Sequence, residues 1–200
     1  MLHQLRPAIV LLILMSAITG IAYPLVITGV AQVAFEDKAN GSLIEKDGQV
    51  IGSELIGQSF VDPETGETLP GYFRGRPSAA GTGYDAALSS GSNLGPTNPQ
   101  LVQNVEDQVA IIRAENKLTA DALIPVDLVT SSASGLDPDI SPASANLQIA
   151  RVAQQRGITE EQVRAIVDEH TSGRTLGILG EPRVNVLEMN LALDEQYPMP

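Results

Sequence analysis

The chain has 200 residues, of which 24 are acidic, 12 are basic and none is cysteine. The length suits one ordinary domain with a short appendage, and the lack of cysteine excludes disulfides, thiolate zinc sites and thiol catalysis. Residues 36–200 carry a net formal charge of −13, which argues against a nucleic-acid-binding protein, because such proteins present a basic surface.

The N-terminal stretch has the composition of a membrane span. Residues 7–35 contain no charged side chain. At about 1.5 Å per residue, a helix of this length crosses a hydrocarbon core of roughly 30 Å. We therefore predict a transmembrane helix at 7–35, an N-terminal segment at 1–6 and a soluble domain at 36–200.

The charges on either side of this stretch predict its orientation. Arg6 precedes the stretch, while Glu36 and Asp37 follow it. The positive-inside rule then places residues 1–6 in the cytoplasm and the soluble domain outside it. The expected location is the cell (inner) membrane, with a single pass.

A cleaved signal peptide is the alternative for the same stretch. Arg6 would supply its basic start, and residues 9–15 its apolar core. The apolar run, however, continues beyond the usual 7–15 residues, and no clean small-x-small cleavage site precedes polar sequence. These features favour a retained anchor.

Small or weakly polar residues recur along this helix at every fourth position, at Ser16, Gly20, Pro24 and Thr28. In lipid, such residues let helix backbones approach closely, and packing then drives association. The pattern suggests docking against partner helices, although weakly polar residues also occur in spans without that role. The span contains no ionisable residue for an ion site.

Residues 36–97 are rich in glycine and serine and are predicted to form short strands and loops. Asp47 and Gly48 separate two short apolar runs, at 42–44 and 50–51. An Asp-Gly pair in that position is a strong signal for a tight β-hairpin.

Residues 98–200 are predicted to be rich in helix. Asn98 can cap a first helix that has Pro99 at its first position. Ser141 and Pro142 open a second helix, which Gly157 ends. Thr159 and Gln162 have the spacing of a capping box for a third helix.

Two further apolar segments complete this region. The segment ALIPVDLVT at 122–130 is predicted to be a strand, edged or broken at Pro125. Residues 184–193 fit a buried helix slightly better than a strand. The fold class expected from this mixture is one N-terminal transmembrane α-helix followed by a small mixed α+β (or α/β) domain.

Candidate chemistry in the soluble domain is sparse. The glycine-rich stretches lack the lysine-containing phosphate-loop pattern. Arg74 and Arg76 could bind an anion or a partner's carboxylate, or they could pair with acids of the domain, which its negative charge favours. His170 is the single histidine after the span, and Asp137 and Asp139 lack the rest of a calcium loop. We therefore predict no catalytic or metal site in this chain.

Several strings together resemble one known family. They are RPA at 6–8, TGxxYP at 19–24, GSLI at 41–44, GSxLIGQ at 52–58, YFxGRPSA at 72–79, SGSNL at 90–94, LVTxSASGLD at 128–137, ISP at 140–142, Gln148, RVA at 151–153, GEPxVNV at 180–186 and LAL at 191–193, where x marks a position that does not contribute to the resemblance. In this order, nearly end to end, they look like the C subunit of the Kdp-type bacterial potassium-transporting P-type ATPase.

The resemblance implies a non-catalytic accessory subunit of an ATP-driven potassium importer. Its partners would be a channel-like potassium-binding subunit, a P-type ATP-hydrolysing subunit and a very small membrane peptide subunit, with ATP and potassium handled by the complex. It would assist assembly and act as a catalytic chaperone that raises the ATP affinity of the hydrolysing subunit. The alternative function is a membrane-anchored extracytoplasmic hydrolase, using His170 or an acid pair, or a binding domain.

The resemblance also implies a nucleotide contact. In this chain the corresponding residues are Ser131, Ser132, Ser134 and Gly135, with Gln148 in the helix that follows. An extracytoplasmic domain is separated from cytoplasmic ATP, however, and its negative charge repels a polyanion. The predicted location and the negative charge of the domain therefore favour the accessory role over direct nucleotide contact.

Overall fold

The computed structural model describes residues 2–62 and 64–199. The chain divides into two compact units, residues 1–53 and 54–200. The predicted β-hairpin therefore groups with the N-terminal helix in the first unit.

The first unit begins with a long continuous helix. Helix α1, Leu2–Ala17, passes through one π-helical turn, Ile18–Ala22, into helix α2, Tyr23–Ala34. Among the described residues it is the one helix long and apolar enough to cross a bilayer, over the 32 residues His3–Ala34. The prediction of a single N-terminal apolar helix is confirmed.

A short helix and a hairpin complete the first unit. Helix α3, Glu36–Ala39, leads into strands β1, Leu43–Lys46, and β2, Gln49–Ser53, which pair antiparallel. Asp47 and Gly48 both have positive φ, 53° and 75°, as a type I′ turn requires. The predicted hairpin is therefore confirmed.

The second unit contains four helices and three short strands within the described residues. The helices are α4, Pro99–Glu115, α5, Pro142–Arg156, α6, Glu160–Glu169, and α7, Val186–Gln196; the strands are β3, Asp139–Ile140, β4, Thr171–Ser172, and β5, Arg183–Asn185. The strands form an antiparallel sheet in the order β3-β5-β4. The prediction of a small mixed α+β domain after the helix is confirmed.

The helix ends lie where the capping residues predicted them. Asn98 accepts a hydrogen bond from the Gln100 N–H at the start of α4. Ser141 caps α5, and Gly157 ends it in the left-handed conformation, with φ 67°. The capping box of α6 is complete, because Thr159 and Gln162 bond each other's backbone N–H.

The predicted strand at 122–130 is wrong. This segment holds only a 3-10 turn, Val126–Leu128. Pro125 precedes the turn and has no N–H for a sheet ladder, and Leu123 is 93% exposed. Leu128 and Val129 alone supply buried apolar side chains here, so the segment is anchored at one end.

The segment at 184–193 combines a strand end with a helix. Val184 belongs to β5, and the chain turns at Asn185, whose side chain accepts from the Glu188 N–H and caps α7. The preference for a helix was therefore correct for most of the segment. The hydrophobic core lies among α5, α6, α7 and the sheet, with Phe73 inserted from a loop.

Candidate functional site

A loop segment crosses the core of the second unit without belonging to a strand. We call residues 70–80 the central segment. The Phe73 N–H donates to Asn190 Oδ1 at 2.8 Å, and Asn190 Nδ2 donates to the Phe73 carbonyl at 2.9 Å. In the same way, the Arg74 N–H donates to Gln148 Oε1 at 2.8 Å, and Gln148 Nε2 donates to the Arg74 carbonyl at 3.1 Å. Two side-chain amides thus replace the strand partner that this backbone lacks.

Two arginines of α5 bind the preceding backbone. Arg151 Nη1 donates to the carbonyls of Pro70, at 2.6 Å, and Tyr72, at 2.9 Å. Arg156 Nε donates to the Gly71 carbonyl at 2.7 Å. Burial lowers the pKa of Arg151 to about 10, but the group stays charged at neutral pH. Every carbonyl from residue 70 to 74 therefore accepts a hydrogen bond from a side chain of α5 or α7.

Arg156 is the most enclosed charge of this arrangement. Its side chain is fully buried, and its Nη2 pairs with Asp194 Oδ1 at 2.9 Å. Its Nη1 donates to the Tyr197 carbonyl at 2.7 Å, and its guanidinium lies 4.8 Å from the centre of the Tyr72 ring. One side chain therefore joins α5, the central segment and the C-terminal end of α7.

Gln148, which the resemblance places near nucleotide, is completely buried. Its Oε1 accepts from the Arg74 N–H and from Arg151 Nη2, and its Nε2 donates to the carbonyls of Arg74 and Ser144. All four hydrogen-bonding positions of the amide are thereby occupied. The geometry gives Gln148 a positioning role for the central segment.

Arg74 and Arg76 both form ion pairs with acids of the domain. Arg74 Nη1 lies 3.1 Å from Glu115 Oε1, and Arg76 Nη1 lies 3.0 Å from Asp137 Oδ2. Arg76 also donates to the carbonyl of Ser131, at 3.2 Å. Pairing with the domain's own acids was the interpretation that its charge favoured, whereas contact with an external anion or partner stays a prediction.

In the serine-rich stretch at 131–135, serine hydroxyls accept hydrogen bonds from nearby backbone N–H groups of the same loop. The Gly135 N–H donates to Ser132 Oγ at 2.9 Å, and Ser134 Oγ accepts from the Leu136 N–H at 3.1 Å. Gly135 has φ +67°, and a Cβ there would lie 2.6 Å from the Ser90 carbonyl oxygen. Ser131 differs from its neighbours, because its hydroxyl makes no hydrogen bond within the described part of the chain.

The structure brings some of the predicted site residues together and separates others. Arg76, Ser132 and Ser134 line one open groove of about 550 Å³, beside Leu55 and Ile56. Ser131, Gly135, Arg74 and Gln148 do not line that groove. The predicted nucleotide residues therefore divide between a loop, in which Ser132 and Gly135 are buried and Ser134 is exposed, and the buried Gln148 on α5.

Tyr84 is a site residue that the sequence reasoning missed. Its hydroxyl donates to the Arg76 carbonyl at 2.8 Å. A Cβ at Gly57 would clash with the Tyr84 ring, and one at Gly75 would clash with the Tyr84 hydroxyl oxygen. Burial, with the nearby charge of Asp137, raises the pKa of Tyr84 to about 12. Gly57 and Gly75 could have indicated this contact from the sequence, since glycine often marks a close approach to the backbone. They did not indicate that Tyr84 is the side chain that approaches.

The residues considered for catalysis or metal binding contact neighbouring groups of the chain. His170 Nδ1 lies 2.9 Å from the Ile166 carbonyl at the end of α6. Asp137 pairs with Arg76, and Asp139 pairs with Arg183. Within residues 2–62 and 64–199, no group of three or more His, Asp or Glu side chains could hold a metal ion.

In the first unit, Ser16, Gly20, Pro24 and Thr28 lie on the long helix, and its π-helical turn contains Gly20. Thr19 Oγ1 donates to the Met15 carbonyl at 2.7 Å. A Cβ added to Gly20 would meet no atom within 4 Å, so the helix surface there is open. These features define a class of protein with one long apolar N-terminal helix and a small acidic α+β region.

Comparison with known proteins identifies the family. The chain belongs to the K+-transporting ATPase, c chain (KdpC) family, whose model matches residues 5–195. It is 56% identical over 194 residues to the potassium-transporting ATPase KdpC subunit of Mycobacterium tuberculosis, covering 97% of this chain and 99% of that protein. The KdpC subunit of Caulobacter vibrioides is 54% identical over 199 residues, and that of Koribacter versatilis 51% over 200; these cover 99% and 100% of this chain, and 96% and 98% of the relatives. The family assignment supports an accessory role in potassium transport.

Proposed function

We propose that this chain is the non-catalytic accessory subunit of an ATP-driven, high-affinity potassium import complex. Its partners are a channel-like potassium-binding subunit, a P-type ATP-hydrolysing subunit and a very small membrane peptide subunit. The observation that carries the proposal is identity of 51–56% along nearly the whole length of relatives named potassium-transporting ATPase KdpC subunits. Such similarity covers the helix as well as the soluble region.

The proposed orientation has the N-terminus in the cytoplasm and the soluble region outside. It rests on Arg6 before the helix and on the acidic residues Glu36 and Asp37 after it. In this orientation cytoplasmic ATP does not reach the soluble region. The chain then assists assembly and raises the ATP affinity of the hydrolysing subunit through its contacts with the membrane subunits.

The π-helical turn supports docking by the long helix. In a regular α-helix of about 3.6 residues per turn, the 12 positions from Ser16 to Thr28 end about 120° from the starting direction. One extra residue in a π turn removes about 100° of that drift. The turn at Ile18–Ala22 therefore brings Ser16, Gly20 and Thr28 close to a single face, where a partner helix can approach.

The long helix offers a matched pair of substitutions to test docking. Gly20→Leu puts a bulky side chain on the proposed face, whereas Gly29→Leu makes the same change at a glycine outside the four-residue series. A Cβ meets no atom of the chain within 4 Å at either position. Loss of the complex with Gly20→Leu alone therefore reports on partners and not on folding.

The experiment is purification of the tagged chain in mild detergent from potassium-starved cells that express the partner subunits. Potassium-stimulated ATP hydrolysis is then measured on the eluate. We expect the wild type and Gly29→Leu to bring down the larger subunits with stimulated hydrolysis, and Gly20→Leu to lose most of both. A wild-type chain that elutes alone while its partners are expressed would refute the proposed function.

A further inference from the structure

A cavity of about 370 Å³ lies between the C-terminal end of α4 and helix α5. Two basic side chains line it, Lys117 from the turn after α4 and Arg151 from α5, and among the described residues Glu115 is its one acidic lining residue. The cavity shares no lining residue with the groove beside the serine-rich loop. It is therefore a separate, locally basic site in an acidic unit.

The two basic side chains of this cavity lack the ion pairs that most bases of the unit form. Residues 54–200 contain 20 acidic and nine basic side chains. Five of the nine bases pair with a carboxylate at 3.1 Å or less. Lys117 and Arg151 are among the four that make no ion pair within the described residues. Although acids outnumber bases in this unit, two uncompensated positive charges lie in one cavity.

The hydrogen bonds of Arg151 all go to neutral acceptors. Besides the two backbone carbonyls bound by Nη1, its Nε donates to Asn116 Oδ1 at 3.1 Å and its Nη2 to Gln148 Oε1 at 2.7 Å. One N–H of Nη2 is left without an acceptor in the described part of the chain. The carboxylate of Glu115 already pairs with Arg74. Neutral acceptors satisfy N–H groups but leave the positive charge uncompensated, which favours an anion beside this guanidinium.

The end of α4 holds Lys117 at the same cavity. The Leu118 N–H donates to the Arg113 carbonyl at 3.0 Å, which closes the helix with a Schellman turn. Lys117 occupies the left-handed position of that turn, with φ 52°, where glycine is usual. Its ammonium donates to Gln154 Oε1 at 2.9 Å, so two of its three N–H groups have no acceptor among the described residues.

A carboxylate fits these free donors. Its two oxygens can accept one hydrogen bond from the Lys117 ammonium and one from Arg151 Nη2, as charge-assisted hydrogen bonds. A dianionic phosphate would meet the negative charge of Glu115 in the same cavity. The unit's net formal charge of −11 also repels anions that diffuse freely. A carboxylate on a protein held in the same membrane has a high effective concentration instead.

We infer that this cavity binds an Asp or Glu side chain of a larger subunit of the ATPase, with the carboxylate between Lys117 and Arg151. The inference rests on the proposed function, because that function supplies the partner. Charge complementarity of this kind determines which surfaces meet, since an acidic partner group is repelled elsewhere on an acidic domain. The cavity therefore specifies one docking position for the soluble region.

The first test identifies the carboxylate by zero-length cross-linking. A carbodiimide joins an amine to a carboxylate that touches it, and Lys117 is the only lysine of residues 54–200. In the assembled, detergent-purified complex we expect mass spectrometry to find Lys117 joined by an amide to an Asp or Glu of a larger subunit. Lys117→Arg keeps the charge without a reactive amine and should lose this product. Cross-links of Lys117 only within the chain or to a second copy, or none, would overturn the inference.

The second test measures the contribution of the charge. Lys117→Met and Arg164→Met each remove one exposed base without an ion pair, and Arg164 on α6 donates only to Asn146. We expect Lys117→Met to dissociate from the complex about fivefold faster at low salt, with an unchanged unfolding midpoint, and the difference to shrink at high salt. Arg164→Met and Lys117→Arg should dissociate like the wild type.

Two outcomes separate this inference from the proposed function. Equal dissociation of Lys117→Met and Arg164→Met from a complex that assembles normally would overturn the inference and leave the proposed function standing. A wild-type chain that fails to assemble with co-expressed subunits would overturn both.

Discussion

Gln148 on α5 and Asn190 on α7 bind two consecutive residues of the central segment with the same paired geometry. Asn190 bonds both backbone groups of Phe73, and Gln148 bonds both backbone groups of Arg74. Both amides are completely buried. A buried backbone that loses such a partner retains the cost of desolvation, so these two side chains determine whether the segment can stay inside the core.

Replacing Gln148 should be strongly destabilising. In Gln148→Leu, the N–H and carbonyl of Arg74 lose their partners, and we expect a loss of about 2–4 kcal/mol in the free energy of unfolding. Gln154→Leu, on the exposed side of the same helix, removes only a bond to Lys117 and should cost less than about 0.5 kcal/mol. Denaturant unfolding of the purified chain measures both, and equal values would contradict the assigned role.

Arg156 should tolerate neither an apolar nor a lysine substitution. Arg156→Met leaves the carbonyls of Gly71 and Tyr197 without donors and removes the ion-pair partner of Asp194, which keeps only the hydrogen bond from the Tyr72 hydroxyl. The expected cost is about 3–5 kcal/mol. Arg156→Lys keeps the charge but cannot reach three separated acceptors, so we expect an intermediate loss of about 2 kcal/mol. Thermal unfolding in mild detergent ranks the three proteins, and a lysine variant as stable as the wild type would show that charge alone suffices.

Two glycines with the same φ should respond differently to alanine. Gly135 and Gly157 both have φ +67°, but a Cβ at Gly135 would lie 2.6 Å from the Ser90 carbonyl oxygen, whereas one at Gly157 meets nothing within 4 Å. Gly157→Ala should therefore cost about 1 kcal/mol, the conformational term alone. Gly135→Ala adds a backbone clash, and we expect about 3 kcal/mol or more. Equilibrium unfolding of both variants gives the comparison, and similar losses would show that the contact with Ser90 does not constrain Gly135.

The pH dependence of stability should include a contribution from Glu188. Burial raises the pKa of Glu188 above its ordinary value of 4.5, and repulsion by Glu54 and Asp139 adds to the effect, while His170 opposes it. The folded protein then holds this proton more tightly than the unfolded chain does. Stability from this group therefore falls as the pH rises through the range just above 4.5.

Glu188→Gln removes the loss of stability that ionisation of Glu188 causes as the pH rises. The variant should be more stable than the wild type at about pH 7, by less than about 1 kcal/mol because the group is partly exposed. The difference should vanish near pH 4, where the wild-type carboxyl is protonated. Unfolding midpoints across this range test the sign, and a variant less stable at neutral pH would show that the charge is favourable.

The predicted nucleotide contact can be tested at Ser131 without disturbing the fold. Its carbonyl accepts from Arg76, but its hydroxyl makes no hydrogen bond within the described residues, so Ser131→Ala should leave stability unchanged. With the soluble region outside the cytoplasm, we expect the KM for ATP of the purified complex to be unchanged as well. A KM several-fold higher would support direct nucleotide contact and would argue against the proposed orientation.

Local patterns in the sequence predicted the elements whose causes are local. The hairpin at Asp47 and Gly48, the cap at Ser141 and the capping box of α6 all depend on residues within a few positions of each other. The segment at 122–130 was mistaken for a strand because its apolar composition says nothing about pairing partners. Pro125 and the exposure of Leu123 decide against a sheet only once the tertiary surroundings are known.

The site depended on contacts that no local pattern specifies. Charge balance favoured internal pairing of Arg74 and Arg76, but it did not identify Glu115 and Asp137 as their partners. A buried glutamine such as Gln148 has no periodic pattern in the sequence, because its role is to hydrogen-bond a backbone segment far away in the chain. Such residues become visible only when the helices that carry them are placed around the central segment.

The side-chain bonds of the central segment impose an order on biosynthesis. The backbone of Phe73 is hydrogen-bonded by Asn190, which is synthesised 117 positions later, and that of Arg74 by Gln148, which is synthesised 74 positions later. Until α7 leaves the ribosome, an emerging chain holds Phe73 without its final environment, and such long-range closure slows folding. The core is therefore completed only after α7 has been translated. Nascent chains truncated before Asn190 should be substrates for proteases.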